Sequence, residues 1–230
     1  MDATDSGTTS RPPEQRRQAG VASADRLKAF ADAVVAIAMT LLILPLMDSV
    51  SDVASAGGDA SEWLVENREQ LFSFGLSFVL IGAFWMSHHR LFDRIHRVTP
   101  RLLILTIVWM FTIVWLPVAT SILGLMEDDA VQKTLYIGSL FATSAMITAL
   151  GWYALRHPEL HAMTVAELRS GILADAISSS LFVLAYILTI AVSSLNYLPM
   201  FLLFLTGPLH SWLRRYLPAD EAASTSGRTD

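Results

Sequence analysis

The chain has 230 residues, of which 53% are hydrophobic and 16% charged. That is too apolar and too poor in charge for an ordinary soluble domain. The absence of cysteine excludes disulfides and thiolate metal sites, and a net charge of −5 argues against a nucleic-acid partner.

Residues 1–24 are rich in Ser, Thr, Pro, Gln and Arg and read as a disordered tail. Arg26-Leu27-Lys28-Ala29-Phe30-Ala31-Asp32 then runs straight into a long apolar stretch, Ala33 to Leu46, in which Thr40 is the only polar side chain. That run is too long for the core of a secretory signal and lacks a small-residue cleavage site. A span of the bilayer needs about 20 apolar residues. The pattern predicts spans near Lys28–Met47, Gln70–Ser87, Leu102–Met126, Thr134–Leu155, Ala174–Ser194 and Tyr197–Leu213. No charge occurs from Ala176 to Leu213, a length of 38 residues and about 57 Å as one helix, too long for one crossing. Asn196 and Pro199 mark the turn of a hairpin there. Residues 217–230 read as a second disordered tail. The expected fold is therefore all-α: residues 25–216 form one six-span membrane domain, with no separate soluble domain.

Charge predicts the orientation. With the N-terminus in the cytoplasm, the inner segments hold 14 of the 16 lysines and arginines, and the outer loops hold only Arg68 and Lys133. This follows the positive-inside rule, and six spans put both termini in the cytoplasm. Nine carboxylates, from Asp48 to Asp129, lie on the outer side, which gives that surface −7 per chain. Such a surface concentrates cations; it is also what a merely solvated surface looks like.

On the first span, Phe30, Ile37, Leu41 and Leu44 share one helical face, and Ile37, Thr40 and Leu44 its neighbour. Lipid contact or core packing is the plain reading of such a stripe. The small Ala33, Ala36 and Ala38 also permit close helix approach, and a ring of these helices would form an apolar neck with a hydroxyl one turn away. The second span ends Trp85-Met86-Ser87-His88-His89-Arg90-Leu91-Phe92. One of its histidines is expected to hydrogen-bond at the membrane edge, at the depth of Arg26 and Asp32. His88, His89 and His96 match no familiar zinc spacing, so no metal site and no cofactor is expected. A carboxylate such as Asp32 at the edge of hydrocarbon is costly and calls for a partner. Pro117 interrupts the third span and permits a kink. No nucleophile–base set, phosphate loop or carbonyl filter of the Thr-Val-Gly-Tyr-Gly type is present, and an enzyme is not expected.

Arg26-x-x-x-Phe30-Ala31-Asp32 resembles the Arg-x-x-x-Phe-Ser-Asp signature on the first helix of the transmembrane protein 175 family. The Ala-Ile-Ala-Met-Thr-Leu-Leu-Ile-Leu continuation resembles it too, as do Trp85-x-x-His88-His89-Arg90-Leu91-Phe92 and Leu116-Pro117. Members of that family are potassium channels of endosomes and lysosomes, with prokaryotic relatives; the six-span length is similar to the prokaryotic single-repeat form. The resemblance implies a homotetramer with the first helix lining a pore. By position it places the constriction at Ile37, Thr40 and Leu44, and a hydrogen-bond network at Arg26, Phe30, Asp32, Trp85 and either His88 or His89. Ala31 stands where the family has serine, which removes one hydroxyl from that network. The expected function is a potassium-preferring cation channel of the cell membrane. A proton-coupled transporter using Asp32 and a histidine is the alternative, although transporters usually show midplane charges, broken helices and repeats.

Overall fold

The computed structural model describes residues 13–126 and 129–191, with side chains from Ala24 to Met126, from Asp129 to Leu184 and at Ile187. The described residues form seven α-helices: α1 Pro13–Leu41, α2 Leu44–Ser55, α3 Ala60–Glu66, α4 Arg68–Phe92, α5 Pro100–Leu125, α6 Ala130–Arg156 and α7 Val165–Ala191. Four stretches are long and apolar enough to cross a membrane: Ala24–Ser55, Arg68–Phe92, Pro100–Leu125 and Ala130–Arg156. They correspond to the first four expected spans. α7, of 27 residues, covers the fifth as far as Ala191. The expected sixth span, the hairpin turn at Asn196 and Pro199, and the tail 217–230 lie outside the described residues.

Two stretches differ from the sequence expectation. Backbone helix begins at Pro13, so the second half of the expected 1–24 tail is helical. The first span also does not stop at Met47. It breaks at Leu42–Ile43 and resumes as α2. Pro45 is the cause: it has no N–H for the Leu41 carbonyl and its ring crowds that carbonyl, so it is tolerated only in the first turn of a new helix. The Ile43 N–H turns back to the Thr40 carbonyl at 3.3 Å instead. The joined rod, Ala24–Ser55, has 32 residues and is about 48 Å long, which exceeds a hydrocarbon core of about 30 Å. Its far end turns at Gly57, whose φ of 81° is left-handed and suits glycine. α3 then starts on Asp59, whose carboxylate accepts from the Ser61 and Glu62 N–H groups at 2.9 Å.

α4, α5 and α6 pack on one another; α1 lies against α4 and α5, and α7 against α6. The core they share includes Trp109, Tyr136, Leu102, Ile113 and Leu116, all fully buried. Several polar groups inside it are paired across helices. The Ser77 hydroxyl lies 2.8 Å from the Tyr136 hydroxyl and accepts from Thr120 at 2.8 Å. The Ser144 and Ser179 hydroxyls meet at 2.8 Å. In an apolar core such links tie helices together because leaving the groups unpaired would cost more. Gln132 donates to the Ile122, Leu123 and Met126 carbonyls, closing the end of α5. At the opposite end, the connections after α4 and α6 pair: His96 N–H donates to the Leu160 carbonyl at 2.8 Å and Ala162 N–H to the Arg94 carbonyl at 3.1 Å.

Candidate functional site

α1 has two unlike faces. Ala31, Val35, Ala38 and Leu42 are buried against α4 and α5. Their spacing of four, three and four residues makes one stripe, and the alanines let the helices approach closely. Ala38 therefore serves packing within the chain, while Ala33 and Ala36 remain on the exposed side. The other face is apolar and bare: Phe30 is 58% exposed, Ile37 59% and Leu44 52%. Thr40 lies on that face, its hydroxyl donating to the Ile37 carbonyl at 2.7 Å. Ile37, Thr40 and Leu44 thus share an exposed surface that no other helix among the described residues covers.

Near the start of the span, Asp32 meets α4. The Trp85 indole N–H donates to Asp32 Oδ1 at 2.8 Å. His89 Nδ1 lies 3.8 Å from the same oxygen, longer than a hydrogen bond, with the Trp85 and His89 rings 5.2 Å apart. The four-residue spacing of Trp85 and His89 puts both on the α4 face toward α1. His88 points elsewhere. It is fully buried, 4.1 Å from the Trp109 ring and 4.2 Å from the Phe92 ring, stacked on both. Neither of its ring nitrogens has a hydrogen-bond partner among the described residues. Asp32, Trp85 and His89 form this cluster, and Arg26 and Phe30 are exposed.

Sequence reasoning missed a second link at this end. The Lys28 ammonium pairs with the Asp93 carboxylate, just past the end of α4. The bond from Lys28 holds the Asp93 carboxyl below the usual carboxylate range. The signal was present: Lys28 lies one turn before Asp32, and Asp93 lies one turn after His89. Their pairing needed only the register that the Trp85–Asp32 contact sets.

Among the described residues no group of three His, Cys, Asp or Glu side chains could hold a metal ion. What the arrangement offers is a pinned helix with an apolar face left exposed among the described residues.

These features define an all-α, multi-pass membrane protein. The model of the family described as endosomal/lysosomal potassium channel TMEM175 matches residues 26–117, from the Arg26 motif to Pro117. A potassium channel of Streptomyces collinus is 32% identical over 57% of this chain and 64% of its own length. A potassium channel of a Chryseobacterium species is 29% identical over 43% of this chain and 48% of its own. The endosomal/lysosomal proton channel TMEM175 of mouse is 24% identical over 64% of this chain but only 29% of its own length. The chain thus spans less than two thirds of these relatives. The crystal structure of a lysosomal potassium-selective channel TMEM175 homolog from Chamaesiphon minutus superposes with a TM-score of 0.60, covering 85% of this chain and 96% of that one at 21% identity, which shows a shared fold. Over residues 26–117 the chain is similar to the TMEM175 family, and its relatives include bacterial members. The relatives named here are ion channels, not enzymes.

Proposed function

We propose that the chain forms a cation channel of the cell membrane that prefers potassium. In this reading four copies assemble, six spans put both termini in the cytoplasm, and α1 lines the axis. The observation that carries it is the bare apolar face of α1, with Ile37 59% and Leu44 52% exposed beside Thr40. Four such faces at an axis make a dry neck, and a neck of this kind gates by dewetting. The names of the Streptomyces and Chryseobacterium relatives support potassium as the permeant ion. The basic asymmetry of the loops supports the orientation.

Four isoleucines strip hydration without offering carbonyls in exchange, so discrimination is modest, and potassium passes more readily because its shell is easier to disturb. Ile37→Asn wets the neck: single-channel recording in asymmetric potassium and sodium is expected to show larger currents and weaker discrimination. Unchanged conductance and reversal potential overturn the reading. Lipid would cover the same face in a monomer, so native mass spectrometry showing only a monomer in the conducting preparation also overturns it. Vertebrate relatives are named proton channels, and a proton gradient in the same recordings measures that competing ion. For orientation, a cysteine at Ser55, exposed near the end of α2, is expected to react with an impermeant maleimide on intact cells. Reaction only after permeabilisation reverses the topology. Ser55 is preferred to Gly57, where a side chain would be strained.

A further inference from the structure

A cavity of about 330 Å³ opens between the end of α4 and the start of α7, on the side of α4 away from the Asp32 cluster. Its polar lining is Ser87, Arg90, Asp93, Arg94, Glu167 and Asp175, of which Asp93 is already paired with Lys28. These groups are layered by depth. At the rim Arg94 pairs with Glu167 at 3.5 Å, and Glu167 is already engaged by the Thr164 N–H and hydroxyl as the cap of α7. Glu167 and Asp175 are eight residues apart on one helix, so Asp175 lies about 12 Å deeper. At that floor Ser87 and the Asp175 carboxylate line the cavity together. Arg90 stands between floor and rim; it donates to Ser87 at 3.1 Å and has no carboxylate within 4.0 Å among the described residues.

The Asp175 carboxylate is half-buried at a membrane edge without a paired cation among the described residues, which is costly, while the exposed Arg90 guanidinium stands in the same cavity. An anion alone would be repelled by Asp175, and a cation alone by Arg90 and Arg94. We infer that this cavity binds a small water-soluble zwitterion, with its primary ammonium on Asp175 and Ser87 and its carboxylate or phosphate on Arg90 and Arg94. The depth order decides between a soluble ligand and a lipid. A zwitterionic phospholipid holds its ammonium toward water and its phosphate toward its acyl chains, which would set phosphate against Asp175. The cavity presents the reverse order, so the ligand enters from the aqueous end, ammonium first. The volume lies at the small end of the range for ligand pockets.

The test is binding, which is independent of ion conduction. Full-length protein in detergent is dialysed against radiolabelled 4-aminobutyrate, with phosphoethanolamine as competitor and butylamine and butyrate as single-charge controls. Saturable binding is expected, displaced by phosphoethanolamine and by neither control at equal concentration. Asp175→Asn and Arg90→Gln are each expected to weaken it about tenfold or more, the scale of one hydrogen bond to a charged group. A third variant leaves every charge in place. Gly171 lines the cavity, and a Cβ there meets nothing within 4 Å, so Gly171→Leu fills the space and is expected to abolish binding. The inference is overturned if the wild-type protein binds neither zwitterion saturably, if the single-charge controls compete as well, or if Gly171→Leu binds as wild type does.

Discussion

The two faces of α1 have nearly the same composition and opposite fates. Val35, Ala38 and Leu42 lie at most 3% exposed, whereas Ile37 and Leu44 are more than half exposed. Hydropathy cannot separate them, since both stripes are aliphatic and both run through the charge-free stretch from Ala33 to Leu44. What separates them is which side α4 and α5 occupy. In a bilayer the usual inference from an exposed leucine fails as well, because lipid is as apolar as a core. The bare face therefore says where none of the described residues sits, and the packed face says what holds the helix.

The largest expected contrast is in folding. Leu42→Ala opens a cavity in a packed seam and is expected to cost about 2–5 kcal/mol. Leu44→Ala, two residues on, is expected to stay within about 0.5 kcal/mol. Thermal unfolding in detergent measures both, and equal losses would erase the distinction between the faces. A smaller effect is expected at the pinned end. Asp32→Asn weakens the bond from Trp85 by about 1–2 kcal/mol, since the aspartate is partly solvated and the charge is screened. Asp48→Asn, on the exposed stretch of α2, is expected to change little. Equal and small effects would mean that Asp32 is merely solvated.

The smallest effect concerns the Lys28–Asp93 link, and its sign follows from linkage. The folded Asp93 carboxyl is held below its unfolded value, so the pair contributes above the unfolded value of about 4 and is lost as pH falls through the folded one. The melting temperature of Asp93→Asn is expected to lie slightly below wild type at pH 6 and to converge with it toward pH 3. A gap that persists in acid would assign the stabilisation to something other than the ion pair.

Part of the candidate site was legible without coordinates. The Trp85–His89 spacing puts two hydrogen-bonding side chains on one helical face, and the cost of Asp32 at a membrane edge called for such partners. The choice between His88 and His89 was not legible. Adjacent helical residues point about 100° apart, and only the position of α5, which brings Trp109 onto His88, gives each histidine its direction. The break before Pro45 was half legible: a proline near the end of a span ends a helix or bends it, and here it begins α2.

Sequence by itself determined the helical class, the positions of the first four spans and the charge asymmetry of the loops. These follow from hydrogen-bond satisfaction and transfer energies, which act residue by residue along the chain. Only the tertiary structure decided which stripe of α1 is buried, which histidine meets Asp32, that Lys28 reaches Asp93, and that Arg90 and Asp175 share one cavity. Each of these depends on helix rotation and register. Both are fixed by side chains far apart in the sequence, and no local pattern encodes them.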